Sequence, residues 1–309
     1  MNTTQKIRVG TLAAALVVAA FVFSPRSKQP VTNNSPVVSL PYIFESINNT
    51  TTGTIILTEP FVGASTVKRA FASASTPIGC PSYRAGIVNH HALAADLLAQ
   101  SARTLKACRP DIETLVIIAP DHFYRGAQAL STAAPRYRTD TALVETDQIL
   151  QSDFLATVPN VGWQEDVFAK EHGIAALVPF YTHEFPDMAI VPITVKGRVN
   201  ESEAQALTEW LQKTLKRPKT FVLVSADMSH YLSKEEALAN DEITLRALAD
   251  GDAEFFASAS DDFIDSGVQV SIMLKALEKT RWQLLGQKIS TDYTKDRDNT
   301  TTYIVGFWE

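Results

Sequence analysis

Three apolar runs in this chain each break off into histidine, and that recurrence constrains the fold more than any other feature. Leu115-Val116-Ile117-Ile118-Ala119 ends in Pro120-Asp121-His122, and Ala85-Gly86-Ile87-Val88 ends in Asn89-His90-His91. Phe221-Val222-Leu223-Val224-Ser225 runs on into Ala226-Asp227-Met228-Ser229-His230. A short continuous apolar run reads as a strand buried on both faces, the habit of interior strands in parallel sheets. Ligands of open α/β sheets bind in the crevice beyond the carboxyl ends of the strands. Three strands that each deliver a histidine to that edge predict one shared site, provided they lie in one sheet and point the same way.

The remaining sequence supplies the alternation such a sheet needs. Residues 54–57 read as a first strand, and 92–106 as a helix with Leu93, Leu97, Leu98 and Leu105 at helical spacing. A short strand at 128–132 precedes a helix at 146–156 capped by Thr146, and Glu171-His172 opens a helix continuing over 174–181. Residues 188–195 have the β-branched density of an interior strand, although Pro192 argues for an edge or a bulge. Helices at 201–215, 234–249 and 268–278 and strands at 287–293 and 301–308 complete the pattern. The expected class is α/β, a single three-layer domain over residues 53–309 with a central mixed, largely parallel sheet.

The N-terminus reads differently. Lys6 and Arg8 precede residues 9–24, made almost entirely of Ala, Val, Leu and Phe, and Pro25-Arg26-Ser27-Lys28 restores polarity. Residues 1–28 are expected to be an export signal or membrane anchor. No Ala-x-Ala triplet closes the run, and Pro25 hinders cleavage after Ser24, so an uncleaved anchor is expected, with the folded part outside the cytoplasm. Cleavage would make the protein secreted. Residues 29–52, rich in Pro, Ser, Asn and Thr, suit a flexible linker.

Composition excludes some partners. The net charge is -6 with basic residues scattered, which leaves no electrostatic footprint for nucleic acid. The two cysteines, Cys80 and Cys108, match neither a zinc pattern nor a CxxC motif, and read as unpaired thiols unless export oxidises them. No G-x-S-x-G elbow marks Ser225 or Ser229 as a nucleophile, and no Walker A or G-x-G-x-x-G loop is present.

The chemistry therefore falls to the six histidines, His90, His91, His122, His172, His183 and His230. Imidazole is the commonest metal ligand, and two His plus one carboxylate with open positions is the arrangement of non-haem iron sites. His90 and His91 are adjacent, so one of them at most is expected to enter the site. Glu171-His172 offers an acid/base pair or an orienting partner for a ligand imidazole, or simply a helix start. Asp227 and His230, three apart after a strand, are expected to face one cavity. His183 lacks strand-end context and is left out.

These blocks resemble the Memo family, also labelled protein B of the AmmeMemoRadiSam system. The resemblance rests on Gly86-Ile87-Val88-Asn89-His90, Ala119-Pro120-Asp121-His122, Glu171-His172-Gly173-Ile174 through Leu177-Val178-Pro179-Phe180, and Ser225-Ala226-Asp227-Met228-Ser229-His230, with Tyr303-Ile304-Val305-Gly306-Phe307 similar to the family's last strand. It implies a fold like that of class III extradiol ring-cleaving dioxygenases and a metal site in a cleft. By motif position His90 and His122 would be metal ligands, with Glu171, His172, Asp227 and His230 around them as catalytic groups. Asp265 falls at or near the place where the family commonly has a Cys ligand. A carboxylate there gives the two-His-one-carboxylate set that favours iron, whereas a thiolate would favour copper. Asp265 equally suits an N-cap for the helix that follows. Asn89 and Ala175 stand where the family usually has Pro and Glu. The expected function is metal-assisted redox or oxygen chemistry on an unknown small molecule. A non-catalytic ligand- or peptide-binding module on the same fold, and a metal-dependent hydrolase, are the alternatives.

Overall fold

The structure, a computed structural model, describes residues 56–57, 61–75, 80–278 and 281–309. The expected anchor (1–28) and linker (29–52) lie outside the described residues. Among the described residues no helix is long and apolar enough to cross a membrane.

The strands are β1 (Ile56–Leu57), β2 (Ala85–Val88), β3 (Thr114–Pro120), β4 (Leu130–Thr132), β5 (Arg136–Arg138), β6 (Leu143–Val144), β7 (Val161–Trp163), β8 (Ala189–Val195), β9 (Thr220–Ser225), β10 (Trp282–Ile289) and β11 (Thr302–Trp308). The helices are α1 (Ala64–Ser73), α2 (Ala95–Cys108), α3 (Gln148–Thr157), α4 (Glu165–Phe168), α5 (His172–Ala175), α6 (Val178–Glu184), α7 (Glu201–Thr214), α8 (Lys234–Asp250), α9 (Ala253–Ser258) and α10 (Gly267–Leu277). Eight strands form one sheet in the order β10-β11-β2-β9-β3-β8-β4-β7, and β1-β5-β6 form a small second sheet. The four central strands β2, β9, β3 and β8 run parallel. β11 and β10 extend one side antiparallel, and β4 turns back against β8 on the other. The sheet is thus mixed, with a parallel centre.

The apolar runs are uninterrupted because each face of the sheet is covered. On β3, Leu115, Ile117 and Ala119 join one buried cluster with Phe71 of α1, Leu98 of α2 and Phe180 of α6. Val116 and Ile118 join the opposite cluster with Phe154 of α3, Trp210 of α7 and Met273 of α10. This is the three-layer α/β arrangement.

Local details depart from the sequence reading for identifiable reasons. β8 is an interior strand in spite of Pro192. The polar edge of Pro192 faces β4, where its carbonyl accepts the Thr132 hydroxyl at 2.7 Å, but β4 ends at Thr132, opposite Ile193. The missing N–H therefore falls where the ladder has already stopped. The cap of α3 is Asp147, whose carboxylate accepts from the Leu150 N–H at 3.0 Å, and not Thr146. The single helix expected over 174–181 is two short ones, because Pro179 sits in the first turn of α6 and starts a helix there. Cys80 and Cys108 are not free thiols. They form a disulfide with Cα atoms 4.8 Å apart, tying the segment that leads into β2 to the end of α2. Spacing in sequence does not reveal a pair that only the fold brings within reach.

A buried carboxylate fastens α8 to the antiparallel side of the sheet. Asp241 accepts from Thr302 Oγ1 of β11 and Gln287 Nε2 of β10, both at 2.6 Å. Burial pushes its carboxyl up from the ordinary 3.8 to about 6, against the lowering effect of these hydrogen bonds. The native state then holds more protons than the unfolded chain between those two values. The group's contribution to stability falls as pH rises through that window and is constant above it. A rise of this size corresponds to roughly 3 kcal/mol, and losing one acceptor offsets about 1 kcal/mol. Asp241→Asn is expected to be more stable than the native chain by roughly 2 kcal/mol at pH 8 and to lose part of the pH 4–6 slope. Denaturant melts at several pH values check this; identical slopes in the two proteins would contradict it.

Candidate metal centre

β2 and β3 lie on either side of β9, all three parallel, with Val88 beside Ser225 and Ile118 beside Val224. Their carboxyl ends therefore open on one edge, with the histidine-bearing strands about 9.5 Å apart. Side chains close that gap. The His90 and His122 rings meet edge to face with centroids 4.8 Å apart. His172, at the start of α5, stacks on His122 at 4.2 Å and lies 5.1 Å from His90. One ligand nitrogen from each of the three rings falls within 4.8 Å of the others. Nitrogens bound at about 2.1 Å to a common ion lie at most about 4.2 Å apart. Three nitrogens sharing one ion at angles of about 90–109° lie roughly 3.0–3.4 Å apart, so the widest gap in the cluster closes by up to about 1.8 Å when a metal binds, within the reach of side-chain rotation.

Two of the three rings are oriented from behind. The buried Glu171 carboxylate accepts His122 Nδ1 at 2.7 Å, the His122 backbone N–H at 3.1 Å and the Gly173 N–H at 2.7 Å. A carboxylate only accepts, so Nδ1 carries a proton and Nε2 faces the cleft. Gly173 allows this close fit, since a Cβ there would sit 3.0 Å from that of Ala119 on β3. For His90 the orienting group is Ser225. Its hydroxyl donates to the Gly173 carbonyl at 2.5 Å and so accepts from His90 Nδ1 at 3.1 Å. His90 Nε2 is left with its lone pair facing Asp265 Oδ2 at 3.3 Å, and His122 Nε2 lies 3.4 Å from the same oxygen. At His90 an acceptor faces an acceptor, which a cation between them resolves. Asp265 Oδ1, also buried, has no hydrogen-bond partner among the described residues. The donor set therefore fits a metal ion.

The Memo-like protein family model matches residues 67–307. This chain belongs to the Memo-like family. The chain is 27% identical over 203 residues to a MEMO1 family protein of Pyrobaculum aerophilum, an alignment covering 63% of this chain and 71% of the relative. It is 29% identical over 181 residues to a MEMO1 family protein of Archaeoglobus fulgidus, covering 57% and 64%. The aligned parts thus span about two thirds of these relatives. Among solved structures it resembles an uncharacterized protein from Escherichia coli K12, with a TM-score of 0.51 and 12% identity over 72% of this chain and 98% of that one. A likeness at that identity concerns the fold alone.

Electrostatics divide the imidazoles of this Memo-like chain. Burial pushes His90 well below the ordinary histidine value, and the neighbouring His122 and His172 add to the effect against the pull of Asp265. Burial and His122 likewise lower His172. Burial also opposes charge on His122, but hydrogen bonds to Asp265 and Glu171 outweigh it and hold the ring up at about 10. The metal-free cluster is one imidazolium between two carboxylates, flanked by two neutral rings.

The other expected site residues lie close by. Asp227 Oδ1 accepts the His90 backbone N–H at 2.9 Å, and the Asp227 carbonyl accepts the Asp265 N–H at 3.1 Å, so the end of β9 fixes both flanks of the cluster. His230 lines the same cleft of about 340 Å³, and its buried Nδ1 has no hydrogen-bond partner among the described residues. His183 stacks on Phe71 at 4.1 Å, in a separate cavity. Of the two adjacent histidines, one is part of the cluster. His90 joins the cluster, while His91 lines the cleft with Nδ1 3.4 Å from Asp227 Oδ2 and 3.3 Å from the Tyr303 hydroxyl. Sequence reasoning missed Tyr303, and weighed Ser225 as a nucleophile when its role is to orient. The available signal for Ser225 was its place as the last residue of a strand adjoining His90. Tyr124 and Tyr231, exposed on the cleft wall with φ of 51° and 57°, were also missed.

Proposed function

We propose that this Memo-like protein binds one divalent first-row metal ion, iron, in the strand-end cleft and uses it for redox or oxygen chemistry on a small molecule. The observation that carries the reading is that His90 and His122, each held by its own partner at Nδ1, turn both Nε2 atoms on one carboxylate oxygen of Asp265. Two imidazoles and a carboxylate favour iron, and the absence of sulfur from this donor set argues against copper. His172, which the sequence reading gave an acid/base role, completes the imidazole cluster instead. When bound, the ion supplies a Lewis-acidic, redox-active centre. Glu171 keeps the His122 ring aligned, Asp227 holds the His90 main chain, and His230, with its unpartnered Nδ1 in the cleft wall, takes or returns the substrate proton. The Cys80–Cys108 disulfide supports a location outside the cytoplasm, in accord with the basic-then-apolar N-terminus.

Anaerobic loading with ferrous ion, dialysis and then exposure to air tests this reading. The expected result is one iron retained per chain and oxygen uptake above that of the metal-free protein. Absence of retained iron would sink the proposal. Retained metal without oxygen uptake, in the presence of substrates that are nonetheless cleaved, would leave the metal-dependent hydrolase in its place.

A further inference from the structure

The cleft does not end at the histidines. A second cavity of about 590 Å³ adjoins it and shares Tyr124, Gly197, Asp261, Asp265 and Ser266 with the first. α10 begins between the two, and the first-turn N–H groups of a helix have no intrahelical acceptor. Its N-cap, Ser266, gives them no side-chain bond. Ser266 is only 5% exposed, yet its Oγ has no hydrogen-bond partner among the described residues. A buried hydroxyl left unmatched costs about 1–3 kcal/mol, so a native fold keeps one where something else completes it. Two cations line the same cavity. Lys196 donates to the Gly126 carbonyl. Arg198, exposed, makes no ion pair or hydrogen bond among the described residues. Two carboxylates oppose them. Asp265 is turned to the His90 and His122 nitrogens, and Asp261 is exposed.

We propose that this second cavity is an oxyanion subsite, in which Ser266 Oγ, the first-turn N–H groups of α10 and the Arg198 guanidinium hold the carboxylate or phosphate of a small substrate whose other end reaches the histidine cluster. A helix N-terminus aims several N–H groups and the positive end of its dipole at such a group, and a guanidinium adds charge-assisted bonds. This deepens the proposed function by naming its substrate class as anionic, and it rests on that reading only for what the far end of the substrate meets.

Calorimetric titration of the full chain with inorganic phosphate, and separately with acetate, tests the subsite, each in metal-loaded and in chelator-stripped protein. Phosphate or acetate is expected to bind in both states, and the tighter of the two identifies the anion class. Arg198→Ala, on the surface, and Ser266→Ala, which removes no cap bond, are each expected to weaken binding roughly tenfold, with metal content unchanged. Anion binding that is equal in both variants and the native chain, or seen only when metal is present, would overturn the subsite. So would no binding of either anion. A native chain that retains no metal but loses anion affinity in both variants refutes the metal reading and leaves the subsite standing.

Discussion

His122→Ala is expected to abolish tight metal binding while leaving the chain folded. The ring is braced by the buried Glu171 carboxylate at 2.7 Å, and its Nε2 shares an Asp265 oxygen with His90. Loss of an orienting partner behind a ligand typically weakens metal affinity 10–100-fold, and loss of the ligand itself should exceed that. Folding survives because Glu171 keeps two donors, the backbone N–H groups of residues 122 and 173. Glu171→Ala is expected to show the smaller affinity loss together with a destabilisation of about 3 kcal/mol, since it strips the acceptor from two backbone N–H groups in the interior. Metal analysis after dialysis, with circular dichroism to confirm folding, separates the two. Equal metal in His122→Ala and the native chain would contradict the assignment.

Removing the Cys80–Cys108 bridge is expected to lower stability by about 3.5 kcal/mol, the loop-entropy value for a separation near 30 residues. The bond closes a 28-residue separation across the start of β2, the strand that delivers His90. The double Cys→Ser variant, compared with the native chain in denaturant, reads the difference. Thiol titration of the unfolded, unreduced protein is the control, with no free thiol expected. Two reactive thiols in protein prepared from an oxidising compartment would contradict both the bridge and the location it supports.

The site was more legible than the fold's details. Leu115 to Ala119 and Phe221 to Val224 announce buried parallel strands because no residue in them tolerates water, and polar residues at their ends have only the sheet edge to occupy. Strand order was not legible. The placing of β9 between β2 and β3 depends on long-range pairing, and it sets His90 within reach of His122. Pro192 misled because its cost depends on whether a neighbour occupies its N–H side, and that neighbour, β4, stops one residue short. Thr146 and Asp147 are both good caps, and the choice between them turns on where the chain leaves β8's side. The role of Ser225 was hidden because its two partners, His90 and the Gly173 carbonyl, come from segments remote in sequence. Asp265 was reached only through a family resemblance; no local pattern singles out that carboxylate from its neighbours Asp261 and Asp262.

Anomalous diffraction from crystals of the iron-loaded protein addresses the central assignment most directly. The expected result is a single peak about 2.0–2.2 Å from both His90 Nε2 and His122 Nε2, with Asp265 or His172 in the same coordination sphere. An ion bound elsewhere, or none while both nitrogens remain against the Asp265 carboxylate, would contradict it.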